Sequence, residues 1–215
     1  MASRKSGSTD LGSGPPSRER STRDRAIEVV LEMLEDGGES AVRIGDVRDR
    51  SGVSIGSLYH HFGDRDGLIV AAQVRRFSRF AEAEIAALSD IVERSSGRAQ
   101  FRRAIRQLTM RTASELRVAE RWARIAVLAS TVGRPALRYE VRAIQTRLTD
   151  EFQAHVAQGQ ARGFFRSDLD ARAIALFVES YSLGLALNDL DEHPVSERAW
   201  EKVVWSVLDG LIVDE

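Results

Sequence analysis

The sequence predicts an all-α fold of about nine helices, with a three-helix helix-turn-helix unit at the N-terminal end and a larger helical domain following it. Three observations predict this. Apolar residues recur three and four positions apart along nearly the whole chain from Ile27 to Leu211. No stretch alternates apolar and polar residues in the manner of a half-buried strand, and no hairpin signal occurs. One stretch, Arg43 to Leu68, reads RIGDVRDRSGVSIGSLYHHFGDRDGL, the form of two short helices joined by a tight turn at Ser51-Gly52-Val53-Ser54.

Residues 1–20 combine Ser, Gly, Arg and the pair Pro15-Pro16 with almost no large apolar side chain, so they are read as a disordered arm. Its Arg4, Lys5, Arg18 and Arg20 have the charge to lie along phosphates. Residues 21–68 form the helix-turn-helix domain and residues 69–215 the second domain. A first helix starts at Ser21 or Thr22, carries Ile27, Val30, Leu31 and Leu34 on one face, and stops at Gly37-Gly38. Ile44 and Val47 mark a second, ended by Gly52, which can take the positive φ that a sharp turn needs. Ser54 caps a third of about two turns, with Leu58 and Phe62 inward. A long fourth helix carries Val70, Val74, Phe77, Ala81, Ile85, Leu88 and Val92 and breaks at Ser95-Ser96-Gly97.

Five more helices follow. Phe101, Ala104, Ile105, Leu108 and Thr112 mark one; Trp122, Ile125, Ala126 and Ala129 mark the apolar face of the next. Gly133-Arg134-Pro135 punctuates the chain before a helix through Leu137, Val141, Ile144, Leu148 and Phe152, closed by Gly159 or Gly163. Ile174, Phe177, Val178, Tyr181 and Leu185 then share a face, and after the turn at Asp191 to Pro194, Ser196 caps a last helix lined by Trp200, Val203, Val204, Val207, Leu208 and Leu211.

Composition narrows the function. Thirty-one Lys and Arg stand against thirty-two Asp and Glu, which excludes a chain that coats nucleic acid or anionic membrane through net charge, so any DNA contact uses a local patch. There is no cysteine, which excludes disulfides, thiolate metal sites and cysteine nucleophiles. No apolar run of membrane-spanning length appears, and a cytoplasmic protein with no membrane partner is expected. No P-loop, nucleophile elbow, His-Glu-x-x-His or dinucleotide fingerprint occurs, so neither catalysis nor a cofactor is expected. His60 and His61 do not make a metal site, because adjacent helical side chains point about 100° apart.

In the third helix, Gly56 leaves room for close approach to a duplex, and Ser54, Ser57, Tyr59 and His60 can donate hydrogen bonds to phosphates or base edges. Arg65 stands at the N-terminus of the fourth helix, where a cation and free backbone N–H groups suit a phosphate. The run Val53-Ser54, Gly56, Leu58-Tyr59-His60-His61-Phe62 and Asp64-Arg65 resembles the turn and recognition helix of the TetR family of repressors, over about Thr22 to Ala72. The resemblance implies a transcriptional regulator that reads a palindromic double-stranded DNA operator through residues 54–61, with Arg65 at the family's phosphate-contacting lysine. Arg43 stands where a threonine usually caps the second helix, Ile55 where a lysine commonly meets phosphate, and Arg48 where a small apolar residue usually packs. The DNA-binding candidates are therefore Arg43, Ser54, Gly56, Ser57, Tyr59, His60 and Arg65.

One two-turn recognition helix covers only a few base pairs, so a homodimer is expected, with Phe177, Tyr181, Trp200 and Val204 of the last two long helices at its interface. The middle helices would enclose a cavity for a small apolar or aromatic effector. Its expected walls are Leu108, Trp122, Ile125, Phe152 and Phe177, with Arg111, His155 and Tyr181 as polar contacts. The resemblance implies that effector binding moves the fourth helix and releases DNA. The competing reading is a DNA-bound scaffold of the same fold whose second half recruits a protein, which would carry an exposed apolar patch in place of a closed cavity.

Overall fold

The computed structural model describes residues 21–212, so the expected N-terminal arm lies outside the described residues. These residues form α1 (Thr22–Ala41), α2 (Ile44–Ser51), α3 (Ile55–Phe62), α4 (Arg65–Arg94), α5 (Arg98–Ala113), α6 (Val118–Ser130), α7 (Pro135–Ala161), α8 (Ala171–Gly184), the single turn α9 (Ala186–Asp189) and α10 (Glu197–Leu208). Short 3-10 turns precede α6 and follow α10. The described residues contain no strand, only an isolated bridge between Phe165 and Ile212 that pins the end of the chain. The all-α expectation is met; α9 continues α8 after a one-residue interruption, so the two together correspond to one expected helix.

Local chemistry sets the boundaries as the sequence suggests. Ser21 caps α1 by accepting from the Asp24 amide at 3.1 Å, and helical dihedrals stop at Gly37, with Gly38 at φ 65°. Gly52 closes α2 in the left-handed region at φ 68°, where a β-carbon would be strained. Asp64 caps α4 through the Gly67 amide at 2.8 Å, and Asp170 caps α8 through the Ala173 amide at 2.7 Å.

Three apolar clusters lie along α4. The first gathers Ile27, Val30, Val47, Leu58, Leu68 and Ile69 and holds α1–α3 together. The second, Phe77 with Val127, Leu137 and Val141, joins α4 to α6 and α7. The third runs from Ala81 to Ile212 and centres on Phe101, stacked on Phe164 at 4.8 Å and edge-on to Phe165 at 5.0 Å. Gly159, inside α7, makes that arrangement possible, because a β-carbon there would lie 2.7 Å from the Phe165 ring. Thus α4, thirty residues and roughly 45 Å long, is a spine shared by both halves.

Candidate DNA-reading unit and effector cavity

On α3 the buried Leu58 and half-buried Phe62 anchor the helix, while Gly56, Tyr59, His60 and His61 face outward. Tyr59 is 51 % exposed although it is a large aromatic, the arrangement expected of a contact side chain rather than a core one. Ser54 caps α3, its Oγ accepting from the Ser57 amide at 3.2 Å. Ser57 is half-buried. Arg43 is exposed at the N-cap of α2 and makes no capping bond, and Arg48 turns to the solvent beside Asp49.

Arg65 stands exposed at the start of α4, and its guanidinium also reaches the end of α1: Nε donates to the Val42 carbonyl at 2.7 Å and Nη2 to the Glu39 carbonyl. These acceptors lie beside it only because the end of α1 folds against the start of α4. Gly67 was missed altogether. A β-carbon at that position would lie 2.0 Å from the Phe62 carbonyl oxygen, so glycine alone permits the close crossing of α3 and α4.

Glu39 joins this unit to the rest of the molecule. Its carboxylate accepts from Arg134 at 2.7 Å, Ser130 at 2.9 Å and Gln73 at 3.2 Å, and Arg134 also lies 3.1 Å from Asp66. The hydrogen bond from Arg134 is the main cause holding the Glu39 carboxyl below its ordinary value. The end of α1, the start of α4 and the end of α6 therefore meet at one carboxylate.

In the second half, α4, α5, α6, α7 and α8 surround a cavity with a free volume of about 70 Å³, to whose lining Leu208, Leu211 and Ile212 also contribute. Of the candidate effector contacts, Leu108, Phe152 and Tyr181 line it. The other candidates do not. Arg111 and Phe177 are exposed, and Ile125 and His155 are half-buried away from the cavity. Trp122 instead lines an open cleft of about 890 Å³ between α1, α4 and α6, with Glu28, Glu35 and Arg76.

The cavity's polar wall was not foreseen. It comprises Glu84, Thr109, Thr112, Arg124, Glu179 and Ser182. The reason is the orientation of α6, which buries Arg121, Arg124 and Val127 instead of the Trp122–Ile125 face. Arg121 forms a two-pronged pair with Asp189 at 2.6 and 2.7 Å, and Arg124 lies over the Phe80 ring at 4.2 Å and donates to Ser182 Oγ at 3.2 Å. The sequence signal for this was the spacing Arg117, Arg121, Arg124, one helical face of cations continuing into Val127. Burial pulls the Arg124 guanidinium below its usual range, against the pull of Glu84 and Glu179. It pushes both carboxyls up, with Arg117 opposing at Glu84 and the Gln145 hydrogen bond opposing at Glu179.

The expected dimer residues divide. Phe177 is exposed, but Val204 is buried against its own chain, while Tyr181 and Trp200 stack on one another at 6.3 Å. The exposed apolar positions on α8–α10 are Leu176, Phe177, Leu187, Leu190, Val203 and Val207.

Residues 26–72 match the family of bacterial regulatory proteins, tetR family. The transcriptional repressor KstR of Mycobacterium tuberculosis is 35% identical over 71 residues, covering 33% of this chain and 31% of the relative. KstR of Mycolicibacterium smegmatis is 34% identical over 82 residues, 38% of this chain and 39% of the relative. The match thus spans well under half the length of these relatives. Among solved structures, a Rhodococcus sp. protein described as a TetR-family regulator superposes with a TM-score of 0.65 at 22% identity, over 89% of this chain and 98% of that one. A Saccharomonospora viridis regulator in complex with choline gives 0.65 at 20% identity, over 90% and 98%. At these identities the structures show the shared fold. Residues 26–72 thus carry the tetR-family DNA-binding segment, and the chain as a whole shares the fold of the TetR-family structures it superposes on.

Proposed function

We propose that the protein is a homodimeric transcriptional repressor that binds a palindromic operator through α3 and releases it when a small effector occupies the cavity. The observation that carries this reading is the run of α6 from cavity to DNA-reading unit. Arg124 lines the cavity, and six residues later Ser130, with Arg134 beyond, holds Glu39 at the end of α1. Helix α4 makes a second connection: Glu84 at the cavity and Arg65 at the end of α1 stand on one rigid helix, roughly 28 Å apart. An effector that favours one setting of α6 and α4 by ~2.8 kcal/mol changes operator affinity about 100-fold.

Exposed Phe177 and Val203 supply an apolar surface on α8 and α10 for a second copy, which places two α3 helices on successive major grooves about 34–36 Å apart. On DNA, Tyr59 meets phosphate and Ser57 and His60 meet bases. The cavity favours a small-molecule effector over the scaffold reading. The test is to select bound fragments from random DNA and titrate the selected site against substituted chains. Tyr59→Phe is expected to weaken all sequences alike, and His60→Ala to cost about 1–3 kcal/mol at particular base pairs. A His60→Ala chain with the parent's affinity for every base substitution refutes the base contact, and selection of no sequence refutes the repressor reading.

A further inference from the structure

Two polar atoms in the cavity wall have no hydrogen-bond partner among the described residues: Nε of Arg124 and Oε1 of Glu179. Both side chains are more than nine-tenths buried, at 5 % and 7 % exposure. Leaving a charged group's donor or acceptor unmatched in such a place is costly, so both atoms call for a partner from the cavity's contents. Ser182 connects the two residues. Arg124 donates to Ser182 Oγ at 3.2 Å, and Ser182 donates in turn to the Glu179 carbonyl at 2.8 Å, one helical turn back on α8. Elsewhere on these side chains, the guanidinium face lies over the Phe80 ring at 4.2 Å, and Glu179 Oε2 accepts from Gln145 and Thr149. The rest of the lining is apolar, including Leu88, Ile105, Leu148 and Val178.

The chemistry of the two free atoms defines the guest. Arg124 Nε can only donate, and Glu179 Oε1 is set to accept, so a single group must both accept once and donate once. A ketone or ester leaves Glu179 unmet; an ammonium, which only donates, leaves Arg124 Nε unmet. Charge narrows the choice further. Glu84 is paired with Arg117 at 2.9 Å, leaving Arg124 and Glu179 to balance one another, so a charged guest would bring an uncompensated ion into an apolar enclosure. The volume, about 70 Å³, equals roughly five water positions, so it suits a short chain as it stands and a single ring where the lining side chains shift to admit it.

We propose that the effector is an uncharged small alcohol or phenol, its hydroxyl oxygen accepting from Arg124 Nε and its O–H donating to Glu179 Oε1. This rests on the effector reading above, since it assigns a ligand class to the same cavity. It also explains how the guest would be felt: the hydroxyl engages α6 at Arg124, on the helix that ends at Ser130 beside Glu39.

The test is calorimetric titration of the full chain with four probes on one ring: para-cresol, toluene, para-toluate and 4-methylbenzylamine. Para-cresol is expected to bind at least about tenfold tighter than each of the others, ~1.4 kcal/mol. The preference over toluene should fall to near unity in Arg124→Met and in Glu179→Leu, and persist in Glu179→Gln, whose amide oxygen still accepts. Tightest binding of para-toluate or of the amine, equal binding of toluene, or no binding at all overturns the proposal, as does an undiminished cresol preference in folded Glu179→Leu. If Glu179→Leu does not fold, the parent series and Arg124→Met decide. Selective cresol binding that leaves operator affinity unchanged refutes release by effector but not the ligand class. Release by a compound without a hydroxyl, with no cresol preference, does the reverse.

Discussion

Removing the Arg134 guanidinium tests the joint between the two halves. In Arg134→Met, Glu39 loses its strongest partner but keeps Ser130 at 2.9 Å and Gln73 at 3.2 Å, so the carboxylate is not stranded. Exposed ion pairs are worth ~0.2–1 kcal/mol and hydrogen bonds to charged groups ~1.5–3 kcal/mol. At 27% and 26% side-chain exposure the Arg134–Glu39 pair falls between these, and about 1–2 kcal/mol is expected. For a chain of this length that lowers Tm by roughly 2–8 °C. The assay is a double-mutant cycle with Glu39→Gln, read by denaturant unfolding at neutral pH. An interaction energy of about 1 kcal/mol or more is expected, and amides near residues 39–42 and 130–134 should exchange faster in each single variant. The pH dependence supplies a second check. A carboxyl held below its ordinary value contributes stability that is present above the unfolded value of 4.5 and lost as pH falls through the lower folded value, so the Arg134→Met deficit should shrink in acid. Additive effects within ~0.3 kcal/mol, or a deficit unchanged in acid, would refute the joint.

Three further outcomes are expected. Gly67→Ala forces the Phe62 carbonyl away from α4 and should cost roughly 2–3 kcal/mol while abolishing operator binding; near-parental Tm and DNA affinity would show that the crossing tolerates a methyl group. Arg121→Met leaves Asp189 buried without its partner and should cost about 3–5 kcal/mol, whereas Arg121→Met with Asp189→Leu should recover most of that loss in thermal unfolding. Glu179→Gln removes a carboxyl that burial holds above its ordinary value, with Arg124 and Arg172 the cations facing it. A raised value means stability that is full below the unfolded value of 4.5 and lost as pH rises through the folded one, so the variant's stability relative to the parent should rise from acid to neutral pH, and a flat difference would contradict the burial.

What the sequence by itself determined is local. Gly52 at φ 68°, the caps at Ser54 and Ser196, and the spans of α3, α4 and α10 follow from interactions within a few residues, all legible in the order of side chains. The outward set Gly56, Tyr59 and His60 was legible for the same reason, once Leu58 and Phe62 fixed which face of α3 turned inward. Tertiary structure decided the rest. Arg65 finds its acceptors 23 and 26 residues away, and Arg121 meets Asp189 at a separation of 68. A charged side chain read in sequence belongs on the surface, because burying it is unfavourable unless a partner waits inside, and the position of that partner is a property of the packed fold. For that reason the periodicity of α6 suggested its Trp122–Ile125 face as the inner one, while Arg121 and Arg124 are the residues buried there. The polar wall of the cavity, and with it the ligand chemistry it can recognise, exists only once five helices have closed around it.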